Sequence, residues 1–192
     1  MERGRSALGA KSRAVALVAI FASLYAVTSL ATAYLPTGPF FIQFRPAIAV
    51  PMVAAVISSP LIAGLSAAIG TFTASIVRYG TPIYTMFSGT PANFLGFYVM
   101  GYSYRVLRRR NVHWMKALII SSLIGLVVGS IIIALGLWFL AVTLLASGLE
   151  KFASLEFAII ASFLLVLAPA PIALILVIGI LKVLRDQGKI TL

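Results

Sequence analysis

The sequence predicts an all-α integral membrane protein: a bundle of six transmembrane helices with both termini on the cytoplasmic side. Three observations predict it. First, 61% of the 192 residues are hydrophobic and 10% are charged, with a mean hydropathy of +1.10. A soluble domain carries about 25% charged residues, so lipid must serve as solvent for this surface. Second, the apolar residues fall in runs near the roughly 20 residues that cross a bilayer. Third, most of the fifteen Lys and Arg residues fall in three clusters between those runs. These are Arg3, Arg5, Lys11 and Arg13, then Arg105, Arg108, Arg109, Arg110 and Lys116, then Lys182, Arg185 and Lys189. Short Lys/Arg-rich segments stay on the cytoplasmic side. An even number of spans between successive clusters puts all three on one face and leaves Arg45, Arg78 and Lys151 for the other.

The chain reads as a single transmembrane domain over 1–192. The first span covers 14–35 and ends at the turn residues Pro36-Thr37-Gly38-Pro39. The run from Ala14 to Ala33 exceeds the ~7–15 apolar residues of a signal peptide, and further spans follow, so it is read as a helix that stays. An aromatic loop, Phe40 to Arg45, leads to Pro46, which suits a first helical turn because its missing N–H costs nothing there. The second span, 46–58, is short, about 20 Å at 1.5 Å per residue, so it must be mismatched to the bilayer or begin inside the loop. Ser58-Ser59-Pro60 reads as a tight turn into a third span over 61–77. Reading residues 47–77 as one interrupted element would give five spans and turn the Arg108 cluster outward, which the charge rule opposes. A loop at Arg78 to Pro82 precedes the fourth span, 84–104, whose helix proper is expected to begin near Pro91. The fifth, 117–146, is longer than one crossing needs. The sixth, 157–183, should kink at Pro169 and Pro171.

The composition excludes several functions. There is no Cys, hence no disulfide or thiolate chemistry, and four acidic residues with one His leave no metal-ligand set. No Walker A loop, zincin motif or nucleophile elbow is present, so the chain is not expected to be an enzyme or to hydrolyse ATP. The +11 charge flanks apolar spans, where it meets anionic headgroups rather than nucleic acid. His113, beside Trp114 in a basic loop, reads as an interfacial residue. No catalytic residue, cofactor or metal is assigned.

The outer ends of the spans hold the candidate substrate-binding residues: Phe41, Gln43, Arg45, Arg78, Tyr84, Asn93 and Glu156. Arg45 precedes a helix N-terminus, where a cation is disfavoured unless an anion sits between it and the helix amides; a side chain snorkelling to headgroups is the alternative. Arg78 ends a helix, where a cation already complements the dipole. Asn93 is an amide in an apolar span and needs a partner, either a ligand or a neighbouring helix. Phe41 belongs to an aromatic loop that could cap a pocket or anchor in lipid. Glu156 begins a helix and is the acid expected to face inward. Tyr84 is equally a member of an interfacial aromatic belt. Ala19, Ala22, Ser23 and Ala26 form a small-residue stripe on the first span, and Gly125 and Gly129 a GxxxG on the fifth that fits packing within the bundle.

Taken in order, these motifs resemble the substrate-binding S component of an energy-coupling factor (ECF) type ABC transporter, over residues 14 to about 184. The run Ala19-Ile20-Phe21-Ala22-Ser23-Leu24-Tyr25-Ala26 is similar to that family's alanine motif. Phe44-Arg45-Pro46-Ala47 is similar to its entry into the second helix, residues 64–70 to its Gly-rich third helix, and Asn93-Phe94-Leu95-Gly96 to its fourth-helix pattern. The resemblance implies a multi-pass protein of a prokaryotic plasma membrane. It would capture a water-soluble vitamin or related micronutrient outside and deliver it inward with a transmembrane coupling subunit and two cytoplasmic ATPases. It implies that Ala19, Ala22, Ser23 and Ala26 meet the coupling subunit. The two outward Arg residues, Arg45 and Arg78, favour an anionic solute. Two other classes stay open: a structural or assembly protein with no small-molecule ligand, and a lipid-acting membrane enzyme, for which only Glu150 and Glu156 are available.

Overall fold

The computed structural model describes residues 2–33, 46–143 and 148–191. Among them there is helix and no strand: α1 (Glu2–Thr32), a 3-10 turn at Pro46–Ile48 leading into α2 (Ala49–Ile57), α3 (Pro60–Tyr79), the single turn α4 (Ile83–Met86), α5 (Gly89–Arg109), α6 (Trp114–Thr143), a 3-10 turn at Glu150–Ala153, α7 (Leu155–Leu167) and α8 (Ala170–Asp186). Four segments are long and apolar enough to cross a membrane: Lys11–Thr32 of α1, α3, α6, and α7 with α8 taken together over Leu155–Asp186.

Local chemistry explains most boundaries. Ser59 caps α3 by accepting the Ile62 N–H at 3.2 Å, with Pro60 in the first turn where no N–H is needed. Gly80 closes α3 at φ 70°, the left-handed conformation that a side chain resists. α7 starts on Ser154, whose hydroxyl accepts the Phe157 N–H. The continuous helix over the sixth span breaks at residues 168–169, because Pro169 and Pro171 cannot supply N–H groups to the ladder. The fourth span is likewise divided. α4 stops at Met86 and the helix proper starts at Gly89, two residues before Pro91.

α2 occupies the centre. Pro51, Met52, Val53, Ala54 and Ala55 are all buried, packed among α1, α3, α5 and α8. A short helix therefore raises no bilayer mismatch, since other helices rather than lipid surround it. α1 and α3 run parallel and very close. A side chain at Gly70 would meet the Ala22 carbonyl at 2.8 Å and the Tyr25 ring at 3.0 Å. α5 runs antiparallel to α3 and to α6. Gly96 and Gly125 face each other across the α5–α6 seam, where a Cβ at Gly125 would lie 2.6 Å from the Gly96 carbonyl oxygen. The GxxxG on α6 is thus used inside the bundle.

The basic clusters gather at one end. Arg105 donates to the Ala55 carbonyl at 3.2 Å and to the Gly101 carbonyl at 2.7 Å, tying the end of α5 to the last turn of α2. A cation there complements the C-terminal partial charge of α2. Arg108 donates to the Val112 carbonyl, and the Arg185 guanidinium lies 5.7 Å over the Trp114 ring while pairing with Asp186 at 3.0 Å. Lys11 and Arg13 join this end through the parallel course of α1 and α3.

Candidate functional site

Midway along the bundle, a cavity of about 70 Å³ lies between α1, the 3-10 turn before α2, α5, α6 and the end of α7. Its wall is apolar, formed by Ile48, Phe97, Met100, Leu126 and Ile133 among others, with one polar feature among the described residues, Tyr25 beside Asn93. The Tyr25 hydroxyl donates to Asn93 Oδ1 at 3.0 Å, across 68 positions of sequence. Asn93 Nδ2 donates to the Gly89 carbonyl at 2.7 Å, one helical turn back. Those two bonds orient the amide. A side-chain amide carries two donors and an acceptor oxygen with two lone pairs, so Asn93 keeps one N–H and one lone pair beyond these contacts. Tyr25 is 1% exposed and its ring is gripped by α3 at Gly70, which holds the hydroxyl in place. The close α5–α6 approach at Gly96, Gly125 and Gly129 forms another wall. The remaining wall is Leu165, Val166 and Pro169, at the α7–α8 break.

The other residues expected from the sequence are distributed differently. Arg78 and Tyr84 each pack on Tyr79 at the far end of α3. The Arg78 guanidinium lies 5.0 Å over the Tyr79 ring, and Tyr79 meets Tyr84 edge to face at 6.4 Å. Neither residue lines the central cavity. Phe41, Gln43 and Arg45 lie outside the described residues. Glu156 is a correction: it is exposed on the first turn of α7 rather than turned inward. A carboxylate there complements the helix N-terminus and keeps its hydration. The small-residue stripe is a second correction. Ala22 and Ala26 are buried within the fold, at 5% and 6% exposure, and at Ala22 the reason is Gly70, which lets α3 close on it; Ala19 and Ser23 remain exposed. Two residues of the stripe are therefore spent on internal packing.

Tyr25 was not singled out from sequence. The available signal was a hydroxyl in mid-span, which needs a partner when buried. The residue pair Asn93 and Gly96, by contrast, was legible as a unit, and both members line the same cavity. Among the described residues no group of His, Asp or Glu is placed to hold a metal ion. Comparison of the chain with protein-family models, with curated proteins and with solved structures finds no match.

Proposed function

We propose that this chain is the substrate-binding S component of an ECF-type transporter in a prokaryotic plasma membrane. It takes up a water-soluble, vitamin-like solute and works with a transmembrane coupling subunit and two ATPases. The observation that carries the reading is the Tyr25–Asn93 pair, an oriented amide with hydrogen-bonding capacity to spare on the wall of an otherwise apolar cavity. Small-molecule sites have this composition, an apolar wall with few, fixed polar groups. Two further features support it. The helix break at Pro169 lies on the cavity wall, and interrupted helices are a recurrent way to build transport sites at mid-membrane depth. The basic end of the bundle, taken as cytoplasmic, puts α4 and the starts of α5 and α7 on the outside. The exposed face carrying Ala19 and Ser23 is the part of α1 left for a coupling subunit.

A vitamin-sized solute needs a site of some 300 Å³ or more, so binding must widen a cavity of about 70 Å³. The α7–α8 wall is the part suited to move, because its backbone hydrogen-bond ladder is already interrupted. The test is thermal unfolding of detergent-purified protein against a panel of vitamins and their precursors. A solute at 100 times its Kd stabilises by about 2.7 kcal/mol. A hit that Asn93→Ala abolishes supports the reading and names the solute. A folded protein with no shift across the panel favours the assembly role, which requires no small-molecule ligand.

A further inference from the structure

A second, smaller cleft opens where α1, α3 and α4 meet, bounded by Ser29, Thr71, Ser75, Arg78, Tyr79 and Thr85. Its volume is about 20 Å³, room for one water-sized group, so a carboxylate could place one oxygen in it. The hydroxyls divide into two kinds. Ser75 donates to the Thr81 carbonyl and Thr85 to the Pro82 carbonyl, each at 3.2 Å, so their protons hold the α3–α4 connection in place. Thr71 is different. The residue is 5% exposed, and its Oγ1 is buried with no hydrogen-bond partner among the described residues. A buried hydroxyl in that condition carries an uncompensated desolvation cost. Arg78 lines the same cleft, stacked on Tyr79, and no acidic side chain pairs with it among the described residues. Complementing the C-terminal dipole of α3 accounts for Arg78 alone but leaves Thr71 unexplained.

Thr71 and Arg78 both line this cleft, one with a neutral donor and one with a charged donor, and a small anionic acceptor is the one group that both would favour. The cleft also adjoins the central site. Ser29 lies one turn beyond Tyr25 on α1, about 6 Å along the axis. Gly89, whose carbonyl accepts from Asn93, sits against Thr71: a Cβ there would lie 3.5 Å from the Thr71 methyl. We propose that this cleft, through Thr71 and Arg78, receives the carboxylate of the transported solute while Tyr25 and Asn93 hold its body. This rests on the reading of the chain as a solute-binding subunit.

The probe is acetate. Purified protein in phosphatidylcholine nanodiscs, whose headgroups carry no carboxylate, is titrated with sodium acetate against sodium chloride at matched ionic strength, and Tm is followed. Acetate should raise Tm saturably. Arg78→Gln should weaken the half-saturation by about tenfold or more, the usual consequence of losing a hydrogen bond to a charged partner. Thr71→Val, which keeps the shape and removes the donor, should weaken it severalfold. Thr73→Val, at an exposed position of the same helix, should leave it unchanged. No acetate response, or the same response in all four proteins, overturns the proposal and leaves Thr71 satisfied by a water. Loss of the response when phosphatidylserine replaces phosphatidylcholine assigns the cleft to a lipid headgroup and overturns its assignment to the solute. A hit in the vitamin panel without an acetate response removes this cleft alone. An acetate response with no hit in the panel removes the transport reading and, with it, the solute assignment.

Discussion

Tyr25 joins the packing of the bundle to the chemistry of its cavity. Its ring fills the gap that Gly70 leaves in α3, and its hydroxyl fixes the orientation of Asn93. Tyr25→Phe keeps the ring and removes the donor. Losing one hydrogen bond of this kind costs about 1 kcal/mol, so Tm should fall slightly while affinity for any panel ligand falls by more, because the amide is no longer held. Measuring both in Tyr25→Phe, Asn93→Ala and the double variant gives a thermodynamic cycle; strictly additive losses of affinity would show that the two residues do not act as a unit. A second residue-scale prediction concerns Glu150, on the turn before α7. Its carboxylate accepts the Gly148 N–H at 2.9 Å, and that bond, with a smaller contribution from its own backbone N–H, holds its pKa below the ordinary 4.5. A lowered folded-state pKa contributes stability that is present above 4.5 and is lost as pH falls through the folded value. The group is fully exposed, so the effect is small. Glu150→Gln should flatten the fall of Tm on acidification below about pH 4.5 without changing Tm at pH 7 by more than a fraction of the total. An unchanged acid slope would show that the turn is not held by the carboxylate.

At the scale of elements, the seam between α5 and α6 is the tightest constraint on cavity shape. A methyl at Gly125 would lie 2.6 Å from the Gly96 carbonyl oxygen and 2.7 Å from Met100 Cβ, so Gly125→Ala must push the helices apart. Overpacking of this kind costs about 1–3 kcal/mol. Gly179 on α8 has nothing within 4 Å of its would-be Cβ, and there Gly→Ala should instead stabilise by up to about 1 kcal/mol through helix propensity. The opposite signs of the two Tm changes check the packing directly; a rise in both would mean that the seam is looser than described. The element boundaries were legible where local chemistry sets them, as at Ser59-Pro60, Gly80 and the Pro169–Pro171 break. Less legible was which way a helix faces. The stripe Ala22 and Ala26 reads the same whether it packs on a neighbouring helix or on another protein, and the residue that lets α3 close on Ala22, Gly70, is 48 positions away. The central position of α2 was hidden for a related reason: a helix built only of apolar residues has no polar face to show whether lipid or other helices surround it. Asn93 was visible as an amide in an apolar span and in need of a partner, but its partner on α1 was not, because nothing local marks a contact formed only when the bundle closes.

The whole molecule is electrically polar along its axis. The α2–α3 turn, the α5–α6 loop and the ends of α1 and α8 collect Lys11, Arg13, Arg105, Arg108, Arg109, Arg110, Lys116, Lys182, Arg185 and Lys189, while the opposite end carries Arg78 and Lys151. This asymmetry decides how the cavity can work. If the basic end is cytoplasmic, α4, the start of α5 and the start of α7 face outward, and a solute reaches Asn93 from outside. Because the chain contains no cysteine, single cysteines report the orientation without background. Gln187→Cys lies on the exposed residue that follows α8 at the basic end, and Ala153→Cys on the exposed turn before α7 at the other. In intact cells a membrane-impermeant maleimide should label Ala153→Cys and spare Gln187→Cys until the membrane is opened. The reverse pattern would invert the bundle and remove uptake as its role. Labelling of both from one side would mean that α7 and α8 together cross the membrane an even number of times rather than once, and would break the link between charge and topology on which the orientation of the cavity depends.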